Sequence, residues 1–168
     1  LSRRAGFKDG EALALEARSV GAQVILGPAV NICRTPLNGR TFEYFTEDPE
    51  LNSRLAVAVI RGIQSTGVAA CVKHYAANNQ ETNRIRNSSR VSERALREIY
   101  LPVFEAAVRE ADVWAVMAAY NAVNGVAACE HKSLLHDVLR EEYGFTGFVV
   151  SDWFAVRRTA SGASCLRA

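Results

Sequence analysis

Residues 68–75 read VAACVKHY. The run Val68-Ala69-Ala70-Cys71-Val72 is apolar throughout, and then the chain turns abruptly to Lys73, His74 and Tyr75. A strand with one face in water alternates apolar and polar residues, whereas a continuous apolar run suits a strand covered on both faces, as in parallel sheets flanked by helices. Just upstream, residues 49–64 place Leu51, Leu55, Ala58, Val59, Gly62 and Ile63 at helical spacing. Asp48 before Pro49 predicts an N-cap with proline at the first helical position, and Gly67 predicts a stop. Three further short runs resemble 68–75: Gln23–Val30 (QVILGPAV), Val113–Tyr120 (VWAVMAAY) and Gly147–Asp152 (GFVVSD).

Helical patterns separate these strands. Glu11–Val20 sets Leu13, Ala17 and Val20 on one face. Ser92–Glu110 opens at a capping serine and carries Glu93/Arg97 and Arg94/Glu98 pairs, with Pro102 expected to kink or divide it. Ser133–Tyr143 offers Leu134, Leu135, Val138 and Leu139 for burial, and Gly144 follows as a C′ residue. Strand alternating with helix four times predicts an α/β fold of parallel βαβ units. No glycine-rich phosphate loop follows the first strand, which argues against a dinucleotide-binding sheet. A (β/α)₈ barrel takes roughly 250 residues and eight strands. The expectation is therefore a partial (β/α)₈ TIM-type barrel of about four βα units, one incomplete domain over residues 1–168. Its opening, LSRRAGFKDGEALALEARSVG, has the character of a helix entered midway, so a native N-terminal portion is expected to be missing.

Composition narrows the class. The chain is 49% apolar with net charge +2, from 20 basic and 18 acidic residues, so neither nucleic acid nor an anionic membrane is expected as a partner. No apolar stretch approaches the ~20 residues of a membrane span. Cys33, Cys71, Cys129 and Cys165 are scattered, without metal-ligand spacing to His74, His131 or His136, and are expected to be reduced, with no bound metal and no cofactor. Asn87-Ser88-Ser89 fits a glycosylation sequon, a pattern too common to place the chain in any compartment. Only three of the basic residues are lysines, and one of these, Lys73, sits at a strand end.

In a parallel barrel, chemistry gathers at the carboxyl ends of the strands. Here the second strand ends Lys73-His74-Tyr75, the third Tyr120-Asn121 and the fourth Ser151-Asp152-Trp153. The first opens into a long loop holding Arg34, Arg40 and Glu43. Taken singly, each has a plainer reading. Asp152 suits an N-cap, Lys73 a snorkelling strand end, His74 a structural histidine, Tyr120 and Trp153 packing residues, and Arg40 a solvated loop. Their common edge points instead to a polyol site, in which Lys, His, Arg and Asp pair with hydroxyls and Trp153 offers an apolar face. A carboxylate among cations stays ionised, which fits Asp152 to act as a nucleophile rather than as a general acid.

Five stretches together resemble glycoside hydrolase family 3: GPAVNICRTPLNGRTFEYFTEDPEL (27–51), VKHYAANNQETNR (72–84), SERALREIYLPVFEAAV (92–108), VMAAYNAVNG (116–125) and LLHDVLREEYGFTGFVVSDW (134–153). The resemblance covers about residues 10–157. It implies a (β/α)₈ barrel and retaining hydrolysis through a covalent glycosyl-enzyme, with Asp152 of the SDW motif as nucleophile. It implies that Arg40, Lys73, His74 and Tyr120 bind the terminal sugar, with Met117 and Trp153 lining the pocket. Two parts of the family pattern are absent, the N-terminal barrel portion and the second, α/β sandwich domain that supplies the acid/base glutamate in most members. The family's N-acetylhexosaminidase branch carries a histidine in a glycine-rich loop after the KH pair. YAANNQETNR has neither feature, so the glucosidase/xylosidase branch is the closer likeness. The tail after SDWFAVRRTA departs from the family, and residues 158–168 are atypical.

The function so implied is an exo-acting β-glucosidase-like hydrolase that takes a small glycoside or oligosaccharide. The chain alone is expected to be inactive or weak, because no convincing second carboxyl stands beside Asp152. The alternatives are a β-xylosidase or other family glycosidase, a non-catalytic carbohydrate-binding relic, and an unrelated barrel enzyme for a phosphorylated metabolite.

Overall fold

The computed structural model describes residues 2–159. In chain order the strands are β1 (Val24–Ile25), β2 (Ala69–Tyr75), β3 (Ser88–Ser89), β4 (Ala115–Ala118), β5 (Ala122–Val123), β6 (Val126–Ala127) and β7 (Phe148–Ser151). β1, β2, β4 and β7 form one parallel sheet in that spatial order. Helices connect them, giving an α/β arrangement of four βα units of a TIM-type barrel.

The sheet separates two apolar layers. On one face Ala70, Val72, Val116 and Ala118 join the main core, with Ile60, Ile63, Phe104, Leu135 and Leu139 of the overlying helices. On the other, Cys71, Ala115 and Met117 form a smaller cluster with Val150 packed against it. Register sets Lys73 opposite Met117, and Met117 opposite Val150, so these three form one row across the strands.

Helix α1 (Arg3–Ser19) begins at Ser2, whose Oγ accepts from the Ala5 amide at 3.2 Å, and so starts eight residues before the expected Glu11. Its first half carries no periodic apolar stripe because the residues it buries are small: Gly6, Gly10 and Ala14. These bring it against α2 (Pro49–Gln64) at near backbone contact. A Cβ added at Gly10 would lie 2.3 Å from the Val59 carbonyl oxygen, and one at Gly62 would lie 2.1 Å from that of Phe7. α2 itself matches its predicted bounds, and Asp48 Oδ1 accepts from the amides of Glu50 (2.8 Å) and Leu51 (2.9 Å).

Pro102 divides the next helix. α3 (Glu93–Ala95) is capped by Ser92, widens into a π turn over Leu96–Tyr100, and resumes as α4 (Pro102–Arg109). The Leu101 amide reaches back five residues to the Leu96 carbonyl (2.9 Å). Pro102 has no N–H to continue the ladder, and its ring crowds the preceding turn, so the widened turn accommodates it. Ser133–Glu142 is likewise π-wound rather than α-helical, while burying the four predicted residues Leu134, Leu135, Val138 and Leu139.

The first strand differs most from expectation. Only Val24–Ile25 of the predicted 23–30 is regular, and Val24 is exposed rather than covered on both faces. Pro28 cannot donate to a ladder. The segment nevertheless stays beside β2, whose Cys71 and Lys73 amides donate to the carbonyls of Gly27 (3.1 Å) and Pro28 (3.0 Å). The Val30 amide returns to the Lys73 carbonyl (2.7 Å). The third and fourth strands are trimmed to 115–118 and 148–151. A second small sheet, β3-β5-β6, was not expected, although its turn is legible. Asn124 and Gly125 both have positive φ (49° and 93°), the two-residue hairpin that an Asn-Gly pair favours. Among the described residues Cys33, Cys71 and Cys129 form no disulfide with one another, while Cys165 and the tail from residue 160 lie outside the described residues.

Candidate active site

Asp152 follows β7 directly. Its amide donates to the Ala118 carbonyl (3.0 Å), so the last rung of the ladder sets its position. The carboxylate is buried, at 8% exposure. Oδ1 accepts from the Trp153 amide at 2.8 Å, while Oδ2 is buried and accepts no hydrogen bond. One oxygen is anchored and the other is bare.

His74, at the end of β2, presents Nε2 to that bare oxygen at 3.7 Å. The ring is almost fully buried, and its pKa is pushed down to about 2, first by burial and then by the positive charges of Arg40, Lys73 and Arg84. His74 is therefore neutral, and its approach to Asp152 is not an ion pair. Asn31, a buried residue just past the first strand, holds it from behind. The Asn31 Nδ2 donates to the His74 carbonyl (2.9 Å), and its Oδ1 accepts from the His74 amide (2.9 Å) and lies 3.2 Å from Nδ1.

The cations are linked by Glu43. Its Oε1 pairs with Arg40 Nε, and its Oε2 stands 3.7 Å from Lys73 Nζ. Burial works against the Arg40 charge, but Glu43 more than offsets it, and the Arg40 pKa is raised. Tyr120, buried after β4, lies under the Arg84 guanidinium, 4.4 Å from the ring centroid. Burial foremost, and then the negative charge of Asp152, raise the Tyr120 pKa. Arg84 in turn pairs with Glu81 at 2.7 Å.

The structure thus gathers Lys73, His74, Tyr120 and Asp152 at one end of the sheet, with Arg40 joined through Glu43. Met117 lies in the row beneath, buried with Cys71 and Ala115. Trp153 adjoins Asp152 but leaves about half its surface (52%) open. Sequence reasoning passed over Arg84 and Asn31 and left Glu43 without a role. Their partners lie on other loops, and only an arginine within a run of amides hinted at Arg84. Among the described residues no three metal-ligating side chains gather, and no helix is long and apolar enough to cross a membrane. A polar cleft of about 460 Å³ lined by Arg34, Asn79, Ser89, Arg90 and Tyr100 does not include Asp152.

The chain also resembles known proteins along most of its length. The model of the glycosyl hydrolase family 3 N terminal domain matches residues 7–166. The chain is 56% identical to β-glucosidase B of Emericella nidulans over 151 residues, covering 90% of the chain and 18% of that protein. It is 53% identical to an exo-α-(1→6)-L-arabinopyranosidase of Bifidobacterium longum over 148 residues, covering 88% of the chain and 20% of that enzyme. It superposes on β-glucosidase 3B of Thermotoga neapolitana in complex with glucose at a TM-score of 0.89 and 53% identity, over 90% of this chain and 21% of that one. The chain spans about one fifth the length of the curated relatives it matches. With this sheet, this cluster at its end and these relatives, the chain belongs to glycosyl hydrolase family 3.

Proposed function

We propose that this chain is part of a retaining exo-β-glycosidase, of β-glucosidase type, and carries its nucleophile, Asp152. The observation that carries this reading is the bare Oδ2 of a buried carboxylate held at a barrel strand end. Oδ2 attacks the anomeric carbon as the glycosidic C–O bond breaks, and water later displaces the sugar from the carboxylate. Arg40, Lys73, His74, Tyr120 and Arg84 bind the sugar hydroxyls, with Met117 beneath and Trp153 beside them. The relatives named above support a glycoside substrate.

The leaving oxygen needs a proton from a second carboxyl about 5–5.5 Å from the first. Glu43 and Glu81 are tied to Arg40 and Arg84 and do not suit that task. The acid/base group therefore comes from a longer protein of which this chain is one incomplete barrel domain. The chain alone should fall short of that protein by about 10²–10⁴-fold, the usual contribution of acid/base assistance.

Incubating the longer protein with a 2-fluoro-β-glucoside and mapping the adduct by mass spectrometry tests the assignment. Labelling on Asp152 is expected, with loss of label and at least about a 10⁴-fold fall in kcat in Asp152→Asn. A label on any other residue would overturn it. Binding of glucose without labelling would favour a non-catalytic sugar-binding role.

A further inference from the structure

We infer that Asn31 is a positioning residue that holds His74 in its Nδ1–H tautomer, and so makes Nε2 a hydrogen-bond acceptor for a sugar hydroxyl beside Asp152. The inference deepens the glycosidase reading and rests on it for the identity of the hydroxyl.

The argument starts with the Asn31 amide, whose orientation is settled by the backbone it meets. The His74 carbonyl has only lone pairs, so the group that approaches it at 2.9 Å must be the Asn31 NH₂. The His74 amide has only a proton to give, so its partner at 2.9 Å must be the Asn31 oxygen. That same oxygen lies 3.2 Å from Nδ1 of the ring. A lone pair on Nδ1 would face a lone pair on Oδ1, whereas a proton there makes a second hydrogen bond to the same acceptor. A neutral imidazole carries one N–H, so Nε2 is left with the lone pair.

The consequence falls on Asp152. Were Nε2 the protonated nitrogen, it would point its proton at Oδ2, 3.7 Å away, and cap the oxygen proposed to attack. With the proton held on the far side by Asn31, two acceptors face the same space. The ligand that fits must bring a donor, as a sugar hydroxyl does, and Oδ2 is not capped by a histidine proton. The charged groups around the ring are Asp152, Arg40, Lys73 and Arg84, and the three cations oppose a second proton.

Long-range proton–nitrogen NMR of the ¹⁵N-labelled chain at neutral pH reads the tautomer directly, with His74→Gln assigning the signal among the three histidines. The expected result is a protonated Nδ1 and an unprotonated Nε2. Asn31→Ala should let the Nε2–H form appear. Asn31→Asp keeps the acceptor and should keep Nδ1 protonated, so it decides the matter if the alanine variant does not fold. An Nε2–H ring in the unsubstituted chain, an unchanged tautomer in a folded Asn31→Ala, or loss of the Nδ1 proton in Asn31→Asp would each overturn the inference. In the longer protein, glucose should shift the His74 Nε2 resonance. No shift, when the fluoroglucoside does label Asp152, overturns the acceptor role and leaves the glycosidase reading standing. If neither occurs, both fall.

Discussion

Asp152 and His74 show how far a single residue's chemistry depends on what is packed behind it. Asp152 joined the candidate site because it falls, with Lys73 and Tyr120, at the carboxyl ends of the strands, where a parallel barrel gathers its chemistry. Asn31 was not legible, because its bonds to His74 span 43 residues and depend on how the chain folds back after Gly27-Pro28. Arg84 was hidden for the same reason, since its stacking on Tyr120 joins two loops. A stability prediction belongs at this scale. The folded His74 titrates near pH 2, and the unfolded one near its ordinary 6.5. Between those values the unfolded state binds the extra proton, so stability is complete above about pH 6.5 and falls as pH drops below it. The slope attributable to His74 is at most about 1.4 kcal/mol per pH unit. Urea unfolding from pH 7 to pH 5 should show that slope, and it should be reduced in His74→Gln. An unchanged slope would mean that the folded ring takes up its proton over the same pH range as the unfolded one.

At the scale of elements, periodicity succeeded where one face is greasy and failed where it is small. α2 was readable from end to end because leucine, valine and isoleucine mark its stripe. The first half of α1 was not, since glycine and alanine pack without a hydrophobic signature. The close crossing of these helices yields a prediction opposite to helix propensity. Gly62→Ala should gain up to about 1 kcal/mol of propensity. Yet its methyl has no room beside the Phe7 carbonyl, so the variant should be less stable by about 1–3 kcal/mol overall. A denaturation midpoint that stays or rises would show that the two helices part easily. The π-wound helix at 133–142 presents the same apolar residues as an α-helix would, and its winding left no mark in the pattern. The Asn124-Gly125 hairpin carried a clear turn signal, but the strands it joins are two residues each, too short to read as alternation.

For the molecule as a whole, the described sheet has two open edges, β1 and β7. Val24, Leu26 and Phe148 are exposed at or beside them, and Leu13 and Leu15 of α1 are exposed as well. Unpaired backbone beside apolar side chains is a template for association. The chain on its own should therefore self-associate with rising concentration, and Val24→Lys, which places a charge on the edge, should shift the balance toward monomer. Sedimentation velocity over a concentration series measures both. A chain that stays monomeric throughout would show that these edges are protected.

The Asn124-Gly125 turn also makes the molecule a slow clock. Asparagine before glycine ages by attack of the glycine nitrogen on the side-chain carbonyl, closing a ring and releasing ammonia. Here the Gly125 amide is engaged by Ser88 Oγ at 2.9 Å, and the Asn124 side chain is held at both ends by the Val91 backbone. Ring closure then waits for the hairpin to open, so accumulated deamidation at Asn124 records time spent unfolded. Peptide mass spectrometry after parallel incubations in buffer and in urea should find the reaction markedly slower in buffer.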